Sequence, residues 1–410
     1  MSYSNPTNLA IIACPGGENF ADKLIKHLVK GYTRNFERTI SNMSRRFTMA
    51  PDLVRDNIRF INEVNDASAT DQNGKCYQSR LKVPVHFFYF ANGEIKAEIQ
   101  EPVRGRDVYI VQDIENHYPV NFNGTTTDHS LSVNDHLMTV FVTVDAARQS
   151  GAKQITVVLP IYPYSRQHKK KGREGLTASR VGKILEFLGV NRIITLDLHS
   201  REIANSFNTL LLENLHASYQ IIRQLMKLPD ILENLVVVSP DTGAVDRNKF
   251  YATTLKKPLA LLYKERDYSR VSKDAVENNI IEVKLLGNVE GKTVFMADDM
   301  LGTGGTLLKA MASLKEKGAG KVIAAISLPL FSGDAIAYFD EAYRNGLFYR
   351  IIGTNAIYHE EVVKREWYIS VNITGLFAQI IAHLHQNLPL SPLLDNRDII
   401  EKLVSEVKKP

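Results

Sequence analysis

Short apolar, β-branched runs alternate with amphipathic stretches along most of the chain. The runs Leu9–Ala13, Val108–Gln112, Ile155–Pro160, Arg192–Leu198, Leu235–Pro240, Leu259–Lys264, Thr293–Asp298, Lys321–Leu328 and Tyr349–Thr354 read as strands. Their nearly continuous hydrophobicity is what strands covered on both faces require, so the sheets are predicted to be largely parallel. Between them, apolar residues recur at helical spacing in Asn134–Ser150, Ala178–Leu188, Asn214–Leu225 and Thr306–Lys317. The class is therefore α/β, with too many strands for one sheet. A boundary is expected near residue 215, giving domains 1–215 and 216–387 and a tail, 388–410, that returns to the first domain.

Two stretches break the rhythm. From about Gly31 to Leu81 the chain is polar and mixed, with helical pieces around Ala50–Val64, and Glu115–Ser132 is rich in Asn, Thr and His. Both read as surface insertions, near 31–81 and 115–132. The 44% hydrophobic and 23% charged residues of the 410-residue chain are a globular composition, which sets aside disordered and coiled-coil classes. A formal charge of +5 is mild, and apart from Lys169-Lys170-Lys171 the cations are scattered. That favours an anionic small substrate weakly and does not point to nucleic acid. Cys14 and Cys76 have neither metal-ligand spacing nor a disulfide framework. No run approaches the roughly 18 apolar residues of a membrane span, and Met1 to Pro6 lacks the pattern of a secretion signal, so the cytoplasm is expected.

The most informative chemistry follows the strand at Thr293. Asp298 and Asp299 stand at its carboxyl end, and Gly302, Thr303, Gly304, Gly305 and Thr306 then open a helix. Free backbone N–H groups and the helix dipole at such a start attract phosphate. The carboxylates suit a ribose diol or a metal-bound hydroxyl, and the threonines add donors, so the loop is a sugar-phosphate site in outline. The bland alternative is an acidic strand end with a Gly-rich turn.

Five other segments put polar groups at strand ends or in the loops after them, where open α/β sheets bind ligands. They are Phe90-Ala91-Asn92-Gly93-Glu94, Tyr164-Ser165-Arg166-Gln167, Asp197-Leu198-His199, Ser239-Pro240-Asp241-Thr242-Gly243 and Lys264-Glu265-Arg266. Each alone admits a structural reading. Phe90 suits a core, His199 a satisfied histidine, and Asp241 a helix cap. Arg166-Gln167 suits a solvated loop, and Lys264 to Arg266 a surface ion-pair stretch.

In combination and order, these segments resemble the ribose-phosphate pyrophosphokinases, or phosphoribosyl pyrophosphate synthetases. The resemblance runs from about Pro84 to Gln386 outside Glu115–Ser132. It includes Val103-Arg104-Gly105-Arg106-Asp107, Asn134-Asp135-His136-Leu137-Met138 and Phe331-Ser332-Gly333-Asp334-Ala335. It implies two similar doubly wound, mainly parallel-sheet domains of phosphoribosyltransferase-like fold, with the active site between them. It also implies transfer of the β,γ-diphosphoryl group of ATP to the anomeric hydroxyl of ribose 5-phosphate, releasing AMP, with Mg2+ as cofactor. By the same resemblance Asp298 and Asp299 meet the ribose hydroxyls, directly or through magnesium, and Gly302 to Thr306 hold the 5-phosphate. His199 and Asp241 bind the metal, and Lys264 and Arg266 belong to a mobile catalytic loop, which closes over 264–275. Arg166 and Gln167 serve the ATP site, and Phe90, Asn92 and Glu94 reach a neighbouring subunit's adenine. A homo-oligomer follows, a dimer or larger, with hexamers among the assemblies expected.

The acidic Gly/Thr loop alone also fits a phosphoribosyltransferase, and a noncatalytic regulatory homologue is a third reading. The upstream segments disfavour the first, and Lys264 and Arg266 the second. Four positions depart from the family's pattern: Gly302 and Lys171 where acidic residues are usual, His168 for an aspartate, and Glu265 for an arginine. Pro102 also stands where a serine usually precedes Val103-Arg104-Gly105, and Asn387 to Pro392 is poor in hydroxyls. Weak dependence on free phosphate and reduced allosteric inhibition by ADP are therefore expected.

Overall fold

The computed structural model describes residues 8–57, 81–170, 172–266 and 280–407, without the side chains of 264–266, 280–283 and 406–407. The chain divides into two units. The first takes the chain up to Thr195, then Ser200–Glu213 and Thr374–Leu393; the second takes Leu196–His199, Asn214–Ile373 and the chain from Leu394.

In the first unit, β1 (Leu9–Ala13), β4 (Asp107–Val111), β5 (Gln154–Val158), β6 (Arg192–Leu196) and β7 (Leu211–Leu215) form a sheet in the order β1-β4-β5-β6-β7. Pairing from β1 through β6 is parallel. Ile11, Ile110, Val157 and Ile194 are fully buried, as the unbroken apolar runs require. β2 (Val85–Tyr89) and β3 (Ile95–Ile99) form a separate antiparallel hairpin.

Both presumed insertions contain packed structure. Residues 31–47 continue a 30-residue helix, Glu18–Phe47, whose buried face includes Leu24, Leu28 and Ile40. Its polar majority and single Gly31 mask an apolar stripe narrow enough to pass for mixed composition. Residues 51–57 are helical, and 58–64 of the expected Ala50–Val64 helix lie outside the described residues, as do Cys76 and Lys171. Within 115–132, Val120, Phe122 and Leu131 are buried. Phe87 N–H donates to Asn123 Oδ1 at 2.8 Å, and Asn123 N–H donates to Phe87 O at 2.7 Å, so this segment lines the hairpin. The Phe122 and Tyr89 rings lie 5.4 Å apart.

Helix Thr374–His385 packs on helix Glu18–Phe47 in the first unit, although it falls within the expected second domain, 216–387. Phe377 meets Phe20 edge-on at 5.2 Å, and His385 Nδ1 lies 3.1 Å from Asp107 Oδ2. The last helix, Arg397–Val407, belongs with the second unit and buries Ile400 and Val404, so the returning tail is 374–393 rather than 388–410.

The second unit carries a seven-stranded sheet made of β8 (Leu235–Ser239), β9 (Leu259–Arg266), β10 (Ile280–Leu286), β11 (Thr293–Leu301), β12 (Val322–Pro329), β13 (Arg350–Thr354) and β14 (Tyr368–Val371). Its order is β10-β9-β8-β11-β12-β13-β14, and all neighbours are parallel except β9 and β10. From β8 the chain builds toward one edge, then returns beside β8 with β11 and builds toward the other. The switch therefore falls between β8 and β11, whose carboxyl ends open a crevice. The expected helix Asn214–Leu225 shortens to Ser218–Leu225 because 211–215 is strand. Asn214 Oδ1 accepts from Leu198 N–H at 2.8 Å, and Leu215 O accepts from Asp197 N–H at 2.8 Å.

The returning helix makes the first prediction. Phe377→Ala should destabilise the protein by about 3–5 kcal/mol, because the cavity between two helices cannot close fully. Chemical denaturation of the full chain measures this, and a loss below about 1 kcal/mol would show that the helix docks by other contacts.

Candidate active site

At the switch point, β11 is buried along Val294 to Ala297 and then emerges. Asn248, on helix Val245–Leu255, sets its register: the side-chain amide donates to Ala297 O at 2.9 Å, and Oδ1 accepts from Ala297 N–H at 2.8 Å. Asp298 and Asp299 come next. Asp298 Oδ1 accepts from Asp299 N–H at 2.9 Å, and Asp299 Oδ2 lies 2.6 Å from His199 Nδ1.

The two carboxyls titrate apart. Burial, then the charge of Asp299, pushes the Asp298 carboxyl up to about 7, and the charge of Asp241 adds to this. For Asp299, burial opposes ionisation, but the His199 hydrogen bond and the charge of Arg247 outweigh it and hold the pKa below its ordinary value. Adjacent carboxylates in a partly closed site thus divide into one that takes up a proton near neutral pH and one that stays ionised there.

Beyond Asp299 the β11 chain reaches Leu301, and the Gly/Thr loop begins. Gly304 has φ of 78°, and a Cβ there would stand 2.3 Å from Phe339 Cε2, so both backbone and space demand glycine. Helix Gly305–Glu316 starts on Gly304 without a side-chain cap, and Leu308 N–H closes its first turn on Gly304 O at 2.9 Å. The preceding amides, with exposed Thr303 and Thr306, are available to an anion. A Cβ on Gly305 meets nothing within 4 Å, so that face is open.

His199, Asp298 and Asp299 thus come together with Asp241, whose charge acts on Asp298 while its Oδ1 accepts from Ala244 N–H at 3.0 Å. Lys264 and Arg266 end β9, paired with Val283 and Ile280 of β10. Their side chains, and the 267–275 part of the expected closing loop, lie outside the described residues. Phe90, Asn92 and Glu94 form the turn of the β2–β3 hairpin in the first unit, closed by Phe90 N–H on Glu94 O at 2.9 Å. Phe90 is 46% exposed, which excludes the core reading. Arg166 and Gln167 are exposed on a first-unit turn, with Gln167 N–H on Tyr164 O at 2.8 Å and Tyr164 at φ of 56°.

Sequence reasoning missed the layer beneath. Asp197, at φ of 42°, is almost wholly buried. Its carboxylate accepts from Ser327 Oγ and from Ala217 N–H, lies 2.8 Å from His216 Nδ1, and pairs with Arg247 Nη1 at 3.2 Å. Burial opposes its charge, and Arg247 and His216 overcome that, keeping it strongly acidic. Arg247, itself largely buried, stays charged because Asp197 and then Asp299 face it.

This charge arrangement has a pH signature. The folded-state pKa of Asp298 exceeds its ordinary 3.8, so the folded protein holds a proton that the unfolded chain has released. The group's stabilisation is full below about pH 4 and is lost as pH rises through about 7. Without divalent cations, Asp298→Asn should therefore match the parent at pH 4 and exceed it at pH 8 by about 1–3 kcal/mol. Denaturation at the two pH values checks this, and equal stability at pH 8 contradicts it.

Comparison with known proteins agrees with this geometry. The family profile of the N-terminal domain of ribose phosphate pyrophosphokinase matches residues 75–189, and that of the phosphoribosyl transferase domain matches 209–343. The chain is 34% identical over 325 residues to a ribose-phosphate pyrophosphokinase of Staphylococcus epidermidis, covering 78% of this chain and 89% of that protein. A counterpart in Bacillus caldolyticus is 32% identical over 344 residues, covering 83% and 96%. The crystal structure of phosphoribosylpyrophosphate synthetase from Mycobacterium smegmatis aligns with a TM-score of 0.68 at 26% identity, over 93% of this chain and 99% of that one. Two domain matches in the order of the two units, and identity near one third across almost the whole length of its relatives, place this chain in the ribose-phosphate pyrophosphokinase family.

Proposed function

We propose that the chain transfers the β,γ-diphosphoryl group of ATP to the anomeric hydroxyl of ribose 5-phosphate, giving 5-phosphoribosyl 1-diphosphate and AMP. The observation that carries this reading is the succession of Asp298-Asp299 and the Gly304–Gly305 helix start at the switch point of the second sheet. A carboxylate pair for a diol stands directly before a phosphate cradle. In this reading Asp298 and Asp299 orient the ribose hydroxyls, and Gly302 to Thr306 hold the 5-phosphate with backbone N–H groups and the hydroxyls of Thr303 and Thr306. Phosphoryl transfer needs positioning and positive charge rather than a covalent nucleophile, and Lys264 and Arg266 supply that charge. Arg166 and Gln167 bind ATP. Phe90 offers an exposed aromatic face, and with Asn92 and Glu94 it serves the adenine of a neighbouring subunit, which makes the active form a homo-oligomer.

The donor set suits magnesium. Among the described residues no group of three His, Cys, Asp or Glu is preassembled for a metal, but burial, then the charge of Asp299 and last that of Asp241 push the Asp298 carboxyl up to about 7, and a divalent cation would relieve the carboxylate repulsion in that shift. His199 and Asp241 would hold the ion together with substrate phosphates and water, as magnesium's oxygen-rich shell allows. When bound, magnesium neutralises phosphate charge.

Among the described residues no helix is long and apolar enough to cross a membrane. Arg104 is exposed on the turn whose Gly105 N–H donates to Gly151 O at 2.9 Å. Weak dependence on free phosphate remains part of the proposal, since Pro102 brings no hydroxyl to that turn.

The direct test is AMP formation from ATP and magnesium, with and without ribose 5-phosphate. Strict dependence on the sugar phosphate supports the reading, and AMP or ADP formation without it opposes it. The cradle gives a sharper prediction. Because a Cβ at Gly305 enters open space, Gly305→Val should fold with a nearly unchanged melting temperature. Ribose 5-phosphate affinity should nevertheless fall by about 10-fold or more as the branched side chain blocks backbone approach. Titration calorimetry measures it, and unchanged affinity would place the phosphate elsewhere.

A further inference from the structure

The carboxylate of Asp197 is a junction on which three separate parts of the second unit converge. Ser327 comes from β12, Ala217 and His216 from the chain after β7, and Arg247 from the first turn of helix Val245–Leu255. Asp197 occupies a left-handed backbone conformation, uncommon for a non-glycine residue, and the chain then reaches His199 two residues later. His199 Nδ1 lies 2.6 Å from Asp299 Oδ2. The next residue after Arg247 is Asn248, which grips both polar backbone atoms of Ala297, immediately before Asp298.

Two consecutive residues of one helix therefore hold the two chain segments that bear the site. Asn248 fixes β11, and Arg247 fixes the turn that carries His199. Arg247 faces Asp197, Asp299 and Tyr251, so its positive charge also lies toward the carboxylate that His199 contacts. Its side chain is only 24% exposed, and the carboxylate it pairs with is 4% exposed, so the pair is shielded from solvent and its geometry is well defined.

We infer that Arg247 is a positioning residue for diphosphate transfer, which holds Asp197 and through it sets His199 against Asp299, with His216 as its auxiliary on the same carboxylate. The inference rests on the proposed function of the site. Arg247 touches no reacting atom. It governs whether the site is assembled in the reactive geometry, and so acts on turnover rather than on the affinity of either substrate.

The experiment uses the full chain and measures AMP formation dependent on ribose 5-phosphate. Arg247→Met should lower kcat by about 10–100-fold, with KM for ATP and for ribose 5-phosphate within about threefold of the parent. Arg247→Lys restores the charge without the planar fork and should recover to within about tenfold of the parent. A cycle with Asp197→Asn separates this role from a general one. In that background the carboxylate is gone, and Arg247→Met should cost less than about threefold more. Equal losses in both backgrounds overturn the inference, as does a KM for ribose 5-phosphate raised at unchanged kcat, which would make Arg247 a substrate ligand. Should Arg247→Met not fold, His216→Ala at a position 37% exposed carries the test. It should give a kcat-only loss of about 3–10-fold, and an unchanged kcat overturns the inference. A parent active with ribose 5-phosphate whose variants match it defeats this inference alone, whereas a parent without that activity defeats the proposed function and the inference together.

Discussion

Two carboxylates in succession stand where a strand buried between β8 and β12 begins to emerge, and they cannot both be charged there without counter-charge nearby. Much of the second unit's polar structure answers that constraint. Against burial, the His199 hydrogen bond and then the charge of Arg247 hold Asp299 as the anion, Asp298 titrates well above it, and Asp197 holds Arg247 in turn. A solvent-exposed strand end would need none of this. A site that binds a diol and a multiply charged phosphate does need it, because the carboxylates must be ordered and desolvated before the ligand arrives.

The sheet order gives the constraint its location. The reversal between β8 and β11 leaves their carboxyl ends beside a crevice, and Asp241 after β8 and Asp298-Asp299 on β11 lie on its rim. Gly304 takes φ of 78° where a Cβ would run into Phe339, and this turns the chain from strand to helix with the amides of the first turn open to an anion. Two devices from different levels, sheet topology and one backbone dihedral, thereby place a carboxylate pair and an uncapped helix start within a few residues of each other.

Features that are local in sequence were legible. All nine strands read from apolar runs exist, within a few residues of their predicted ends, and the Asp298 to Thr306 loop was recognisable because strand, acids, glycines and helix are contiguous. What failed depended on partners distant in the chain. β3, β7, β10 and β14 are interrupted by polar residues, and β2, although rich in aromatics, pairs only with β3 in a separate hairpin. The 31–47 segment looked like an insertion because its buried stripe is sparse, and Phe122 is buried only through the hairpin it covers. Asp197 lay inside a segment singled out for His199, yet its own role could not be read: Ser327 is 130 positions away. Arg247 and Asn248 carried no signal beyond ordinary helix residues.

The central claim is that this site moves two phosphorus atoms as one group, and the most direct measurement follows both. With ATP carrying distinguishable phosphorus isotopes at the β and γ positions, together with magnesium and ribose 5-phosphate, the account predicts both labels in the sugar product in equal amounts, with unlabelled AMP released. Transfer of the γ label alone with formation of ADP, or recovery of both labels as free phosphate, would contradict it.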